Sequence, residues 1–459
     1  MVARSRLRHC AVLLLILSWG SWPAGTSGWA QQPAPAPPSR DERFRQDVAA
    51  MFAELVETRR ELHQFPELSN QEERTARYVA LQLKQLGLSV QTGIGGHGVV
   101  AMLEGTAPVK DSDDAPPCVA IRADMDALPI MQAGDKPYRS ENPGVMHACG
   151  HDVHVTCALG AARLLAKHRD QFAGSVKFIF QGAEEGMPVT YDKDWGAKLM
   201  VAQGTLENPR PSAIFALHCT PLASVAHGPQ AGLDLPFEVG QIGFCIGPAS
   251  ANSDRFRIVI RGQGAHGSAP QKGVDAIAVA AQAVQALQLI HSRQVSTFDP
   301  LVLTIGTIQG GARENIIAER VEMAGTVRTH DEQLRDRVIE KMHRALKGVT
   351  EAHGASYELL YRKGYPAIIN DHALTERSTE SLRRLWGEQR VVQTNPGMGG
   401  EDFSYFSREV PGFYFRLGVA NVARGITAGV HTAEFDVDEE CLRVGVESLA
   451  ALVCDHLQP

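Results

Sequence analysis

The chain has 459 residues, 44% of them hydrophobic and 21% charged, and carries a formal net charge of −7. This composition excludes a disordered or fibrous chain and supplies enough apolar residues for more than one packed core. The acidic balance argues against a nucleic-acid partner.

At the N-terminus, Arg4, Arg6 and Arg8 precede an aliphatic run at 11–17, and small residues lead to Gly28-Trp29-Ala30. That order is the pattern of a secretory signal peptide cut after Ala30, and it predicts an exported, periplasmic or secreted protein. Loss of three arginines and no acid with this segment leaves a charge of −10. The run is too short to span a bilayer, and no other stretch approaches about 18 uninterrupted apolar residues, so no stable membrane anchor is expected. Residues 31–40, with alternating Pro and Ala, read as an extended linker, and folding should begin near Asp41. Cys10 leaves with the signal, so seven scattered cysteines remain. An odd number leaves at least one thiol outside any intrachain disulfide.

Apolar positions at helical spacing (Phe44, Val48, Met51, Phe52, Leu55, Leu62) predict a long helix over 41–65, closed by Pro66. A second helix is expected over 72–86. Short apolar strands at 99–103, 119–121, 178–180 and 213–217 then alternate with helical stretches, as in an α/β sheet with its loops at one edge. From Ser253 the pattern changes to strand 255–261, helix 274–290, strands 301–308 and 321–328, helix 332–349 and strand 356–361. This β-α-β-β-α-β order is that of a ferredoxin-like unit. The α/β reading resumes with 413–417, so residues 252–363 look inserted into a domain made of 41–251 and 364–459.

The richest segment for chemistry is Met146-His147-Ala148-Cys149-Gly150-His151-Asp152-Val153-His154, placed ahead of a helical stretch from Val155. Cys149 and His151, two apart in a strand-to-helix loop, can turn towards one divalent cation, although a lone Cys or His is often only a packed core residue. Glu184 and Glu185 end the apolar strand before Gly186. Adjacent side chains there point in different directions, so one acid can hold a metal while its neighbour faces a water; a solvated acidic loop is the plainer reading. His218 and His431 end similar elements, and His266 lies in a glycine-rich turn of the inserted segment.

Taken in order, several motifs resemble one family: Arg60-Glu61-Leu62-His63-Gln64-Phe65-Pro66-Glu67-Leu68-Ser69, Arg122-Ala123-Asp124-Met125-Asp126-Ala127-Leu128-Pro129, the Met146 to Asp152 segment, Ala183-Glu184-Glu185-Gly186, Gly264-Ala265-His266-Gly267 and Gly399-Gly400-Glu401-Asp402-Phe403. The chain is similar to the hippurate hydrolase and N-acyl-amino-acid amidohydrolase family of dinuclear metallopeptidases, which includes plant hydrolases of indole-acetyl-amino-acid conjugates. The resemblance implies an α/β metallopeptidase domain with the inserted unit as lid and dimerisation domain. It implies two divalent metal ions per subunit, Zn2+ or Mn2+ with Co2+ or Ni2+ as alternatives, held by Cys149, His151, Glu185, His218 and His431. Glu184 becomes the general base, and His266 polarises the substrate carbonyl in the neighbouring subunit of a homodimer. Asp126 becomes an acid that orients the metal site, while Asn315 and Arg328 lie near a small N-acyl amino acid substrate. Three segments depart from the family pattern: Gly182 stands where a Pro is usual, and 187–195 and 221–240 are enlarged. All three are expected around the pocket mouth.

Two other readings stay open on the residues alone. Cys149 could be a thiol nucleophile activated by His151, or the chain could be a secreted binding module that kept the fold.

Overall fold

Strands of nearly unbroken apolar character pair into an eight-stranded mixed sheet in the computed structural model, which describes residues 38–109, 116–186 and 194–458. The signal peptide, residues 31–37 of the linker and 187–193 of one enlarged segment fall outside them. Across the sheet the strands run Ser89–Ile94, Gly98–Glu104, Ser175–Gln181, Cys118–Asp124, Ala213–Thr220, Gly412–Gly418, Ile242–Phe244 and Val391–Gln393. The four central ones, from Ser175–Gln181 to Gly412–Gly418, are parallel. Every residue of Cys118–Asp124 and Ser175–Gln181 is buried, which is why these strands read as continuous apolar runs rather than alternating ones. Helices Arg40–Gln64, His151–Lys167 and Cys441–His456 pack Phe44, Leu164 and Leu449 against Phe178 and Phe215. Ile179 and Ile214 point the other way and meet Met200 and Phe406 from the short helices Gly196–Ala202 and Ser404–Glu409.

A second, antiparallel sheet takes the order Leu301–Gly310, Arg320–Thr329, Ser253–Arg261, Ser356–Tyr365. Helices Ala276–Leu289 and Glu332–Ala352 cover one face of it, around Phe256, Ile258, Leu287 and Met342. The helix expected from 274 starts at Ala276, because the Asp275 carboxylate accepts the Ile277 and Ala278 N–H groups as an N-cap. From Arg40 onward the two sheets belong to one compact unit. Asp254 anchors the second sheet: its buried carboxylate accepts from Arg335 Nε at 2.7 Å, Tyr361 Oη at 2.6 Å and the Gly364 N–H at 3.0 Å.

The seven cysteines of the described residues are all buried and unpaired, so burial alone carries stability at this size. Among the described residues no helix is long and apolar enough to cross a membrane.

Glu447, in helix Cys441–His456, is 3% exposed and its Oε2 makes no hydrogen bond among the described residues. Burial raises its pKa to about 7, against the pull of Arg45. The folded state therefore keeps a proton that the unfolded chain releases, and stability falls as pH rises from the ordinary glutamate range to about 7. Glu447→Gln should remove this decline. In thermal or urea unfolding the variant should be more stable than the parent at pH 8 and close to it near pH 4.5.

Candidate metal centre

The donor cluster forms at the carboxyl ends of the central parallel strands, where an α/β sheet opens its crevice. Strand Ala213–Thr220 carries His218 near its end, Cys118–Asp124 runs out into Asp126, and Ser175–Gln181 runs out into Glu184 and Glu185. Cys149 reaches the same point from the turn before helix His151–Lys167. Gly150 makes that turn with φ of 85°, and a Cβ there would lie 2.8 Å from Cys219 Cβ, so only glycine fits. His151 was expected in the loop, but it occupies the first helical turn.

Cys149 Sγ lies 3.4 Å from His218 Nε2 and 3.3 Å from His431 Nε2. His431 Nε2 is 3.2 Å from Glu185 Oε1. Donor atoms of Cys149, His151 and His218 lie within 4.8 Å of one another, as do those of Cys149, Glu185 and His431 and those of His151, Glu184 and Glu185. The five expected ligands and Glu184 thus converge. Both ring nitrogens of His151 and Oε1 of Glu185 are buried without a hydrogen bond among the described residues. Such orphaned groups cost about 1–3 kcal/mol each unless a ligand satisfies them. The His218 Nδ1–H donates to the Cys219 carbonyl at 2.8 Å, which leaves Nε2 as a lone-pair donor facing the sulfur. This donor set fits divalent cations.

His154, the third imidazole of the segment, is excluded as a ligand. Its Nε2 accepts the Cys219 N–H at 2.8 Å and its Nδ1 is 2.5 Å from Asp124 Oδ1, so both nitrogens are in use. Asp126 stands beside the donors: Oδ1 is 3.3 Å from His151 Nδ1, and Oδ2 accepts from Ser69 Oγ at 2.6 Å and the Glu185 N–H at 2.9 Å. Neighbouring carboxylates raise the His151 pKa to about 10 against its burial. Burial, then Glu401 and Glu185, pushes Glu184 well above the usual carboxylate range. Burial together with Glu185 and Glu184 pushes the Cys149 thiol up as well.

Sequence reasoning quoted the segments of Arg122, Glu401 and Asp402 but gave these residues no role. Buried Arg122 donates to Asp124, Glu401 and Asp402 at 2.8, 2.9 and 2.9 Å and to Gln181 at 2.9 Å. It was also silent on Glu72, whose Oε1 accepts the N–H groups of Asn70 and Ala183, each at 2.7 Å. Ala183 has φ of 56°, a left-handed turn directly before Glu184 and Glu185. A Cβ on Gly182 would lie 2.9 Å from Glu72 Oε2. Gly182 packs behind this turn and does not line the cavity, so it lies away from the pocket mouth where it was expected.

A cavity of about 1350 Å3 opens over the cluster, with Cys149, Glu184, Glu185, His218 and His431 on one wall and strands of the second sheet on the other. Arg328 lines it, as do Asp194 and Trp195 of one enlarged segment; nothing from 221–240 does, so that segment is corrected away from the pocket mouth. It folds back as a hairpin of Leu222–Ser224 and Asp234–Pro236. His266 and Asn315 do not line the cavity of their own chain either. They sit together on a two-stranded ribbon, Ala265–His266 with Ile316–Ile317, where the Gly267 N–H donates to the Asn315 carbonyl at 2.8 Å and His266 is exposed.

Glu72→Ala should lower kcat by at least about tenfold, because the Ala183 N–H loses its buried acceptor, a cost of about 1–3 kcal/mol. Glu72→Gln keeps an oxygen for that N–H and should restore most of the rate. Equal loss in both variants would show that the Ala183 bond does not govern the turn.

The profile of the family described as Peptidase family M20/M25/M40 matches residues 120–455. An N-acyl-L-amino acid amidohydrolase of Geobacillus stearothermophilus is 41% identical over 329 residues, 72% of this chain and 81% of the relative. Thermostable carboxypeptidase 2 of Saccharolobus solfataricus is 35% identical over 413 residues, 90% of this chain and 97% of the relative. The crystal structure of the Bacillus subtilis YXEP protein, described as a dinuclear metal binding peptidase from the M20 family, superposes with a TM-score of 0.73 at 33% identity, covering 89% of this chain and 99% of that one. With its donor cluster at the strand ends and a profile match through both sheets, the chain belongs to Peptidase family M20/M25/M40, hydrolases of amide bonds.

Proposed function

We propose that this protein is a two-metal amidohydrolase of N-acyl amino acids or related conjugates, with hippurate-like, N-acetyl or aryl-acyl substrates. The observation that carries the reading is the shared sulfur: Cys149 Sγ stands 3.4 Å from His218 and 3.3 Å from His431, so two donor groups meet at one thiol. The names of relatives, an N-acyl-L-amino acid amidohydrolase and a dinuclear metal binding peptidase, support it.

Cys149, His151, Glu185, His218 and His431 would hold the cations, Zn2+ or Mn2+ with Co2+ or Ni2+ as alternatives. Two such ions, when bound, supply a polarised amide carbonyl and a water of lowered pKa. Glu184 takes the proton of the attacking water on its carboxylate and returns it to the leaving nitrogen; its raised pKa, from burial beside Glu401 and Glu185, suits that exchange. Asp126 orients His151, and Arg328 binds the substrate from the opposite wall. His266 and Asn315 serve the cavity of a partner in a homodimer, with residues 252–363 as lid and dimerisation domain. The Ser268 N–H donates to His266 Nδ1 at 3.1 Å, so the neutral ring carries its proton on Nε2, where it can donate to an oxyanion. Export to the periplasm or beyond follows from the N-terminal segment.

The metal-free thiol reading has little physical support. Reactive thiols sit in electropositive surroundings, whereas burial and then the neighbouring Glu185, Glu184 and Asp124 push the Cys149 thiol up.

Glu184→Gln should lower kcat on N-benzoyl or N-acetyl amino acids by about 10²–10⁴-fold while metal content stays near the parent's. Glu185→Gln and Cys149→Ser should lose metal as well. Equal metal loss in both Glu variants, by elemental analysis, would show that the roles assigned to the pair are wrong.

His266→Ala and Glu184→Gln should each be inactive alone. Refolded together at equal amounts, they should regain about a quarter of parent activity, because half the dimers are mixed and each mixed dimer holds one complete site. Background activity, with subunit exchange verified by mass spectrometry, would refute a site shared between subunits.

A further inference from the structure

The peptide group that joins Glu184 to Glu185 is held at both poles. Its N–H donates to Asp126 Oδ2 at 2.9 Å, and its carbonyl accepts from Tyr365 Oη at 2.7 Å. A peptide is planar, so two such bonds fix the plane, and the side chain of Glu184 is attached at one corner of it. Asp126 comes from the strand ends of the first sheet. Tyr365 does not: it is the last residue of strand Ser356–Tyr365, where the chain leaves the second sheet.

Tyr365 is itself aimed. The Trp195 indole N–H donates to Tyr365 Oη at 3.1 Å. An indole N–H only donates and a backbone carbonyl only accepts, whereas a phenol does both. The polarity of the chain is therefore fixed: the phenol takes the indole proton on a lone pair and turns its own proton to Glu184. Trp195 is set from the floor of the site, because the Ala197 N–H donates to Asp402 Oδ2 at 2.8 Å and a Cβ on Gly196 would lie 2.3 Å from that oxygen. From the far side Tyr405 meets the Tyr365 ring edge-on, with centroids 6.3 Å apart and planes at 83°. Glu184, Trp195 and Tyr365 all line the cavity. A phenol that served only the substrate would turn its proton into that cavity; this one is committed to the backbone of the turn.

We propose that Tyr365 and Trp195 are positioning residues for Glu184, a strut of two hydrogen bonds through which the end of the second sheet holds the peptide of the base. Tyr365 makes the contact and Trp195 acts through it. This assignment rests on the reading of Glu184 as general base.

Steady-state kinetics of the metal-loaded protein on N-benzoyl or N-acetyl amino acids separate the two claims. Tyr365→Phe keeps the ring and takes the phenol away from the Glu184 carbonyl. Its kcat should fall about tenfold, the effect of orphaning one acceptor, while KM stays within about twofold of the parent's. Metal content, by elemental analysis, should equal the parent's. Trp195→Phe should lower kcat about threefold with the same split. In the double variant the loss of the indole should add less than about 1.5-fold, since it acts only through the phenol. Should Tyr365→Phe fail to fold, Trp195→Phe alone must show its loss in kcat at unchanged KM. An unchanged kcat in Tyr365→Phe, a raised KM in place of a lowered kcat, losses that multiply in the double variant, or loss of metal overturns the strut. Glu184→Gln is measured beside them. A parent-like kcat in that variant overturns the base reading, whereas the expected loss there with an unaffected Tyr365→Phe overturns the strut alone.

Discussion

The floor of the site depends on one buried guanidinium. Arg122 bonds to Asp124 on its own strand, to Glu401 and Asp402 from a distant part of the chain, and to Gln181 at the end of the neighbouring strand. Buried ion pairs seldom add net stability, but removal of one partner leaves the others as uncompensated charges. With Arg122 in place, the loop that carries Glu401 and Asp402 is tied to the strand edge, and Glu184 gains the acidic neighbours that raise its basicity. One arginine does not balance the site, however. Asp124, Asp126, Glu184, Glu185, Glu401 and Asp402 crowd together, and His151 among them is pushed to about 10. A pocket so negative, with orphaned nitrogens and a half-shared thiol at its centre, has a strong electrostatic demand for cations.

Topology turns that demand into a site. Four parallel strands end at one edge, and successive loops deliver Asp126, Glu184 with Glu185, and His218 to the same point without long excursions. Helix His151–Lys167 adds Cys149 and His151 through a glycine turn that no other residue could make. The second sheet then closes a cavity over the cluster with an arginine-bearing face.

Much of this was legible in the sequence because it is local. Apolar runs marked the buried parallel strands, helical spacing marked the long first helix, and the order of elements from Ser253 gave the second sheet. The expected donors were implied by a family resemblance carried on ordered motifs, in which Cys149 with His151 and Glu184 with Glu185 are close in the chain. What escaped were contacts between distant positions. Arg122 and Asp402 are 280 residues apart, and Glu72 acts on a turn 111 residues away. Nothing in local pattern distinguishes such residues from solvated charges. The segment 221–240 was misplaced for a related reason: its length is visible in the sequence, but its return as a hairpin away from the cavity is a tertiary fact.

The central claim is that this cluster would bind two divalent cations, with Cys149 among the residues that hold them. Anomalous diffraction at the zinc edge, on crystals of the zinc-loaded protein, tests it most directly. The account predicts two peaks per chain, roughly 3.5–4 Å apart as in two-metal hydrolytic sites, with at least one zinc about 2.3 Å from Cys149 Sγ. A single peak, or two peaks with Cys149 outside the coordination of both, would contradict it.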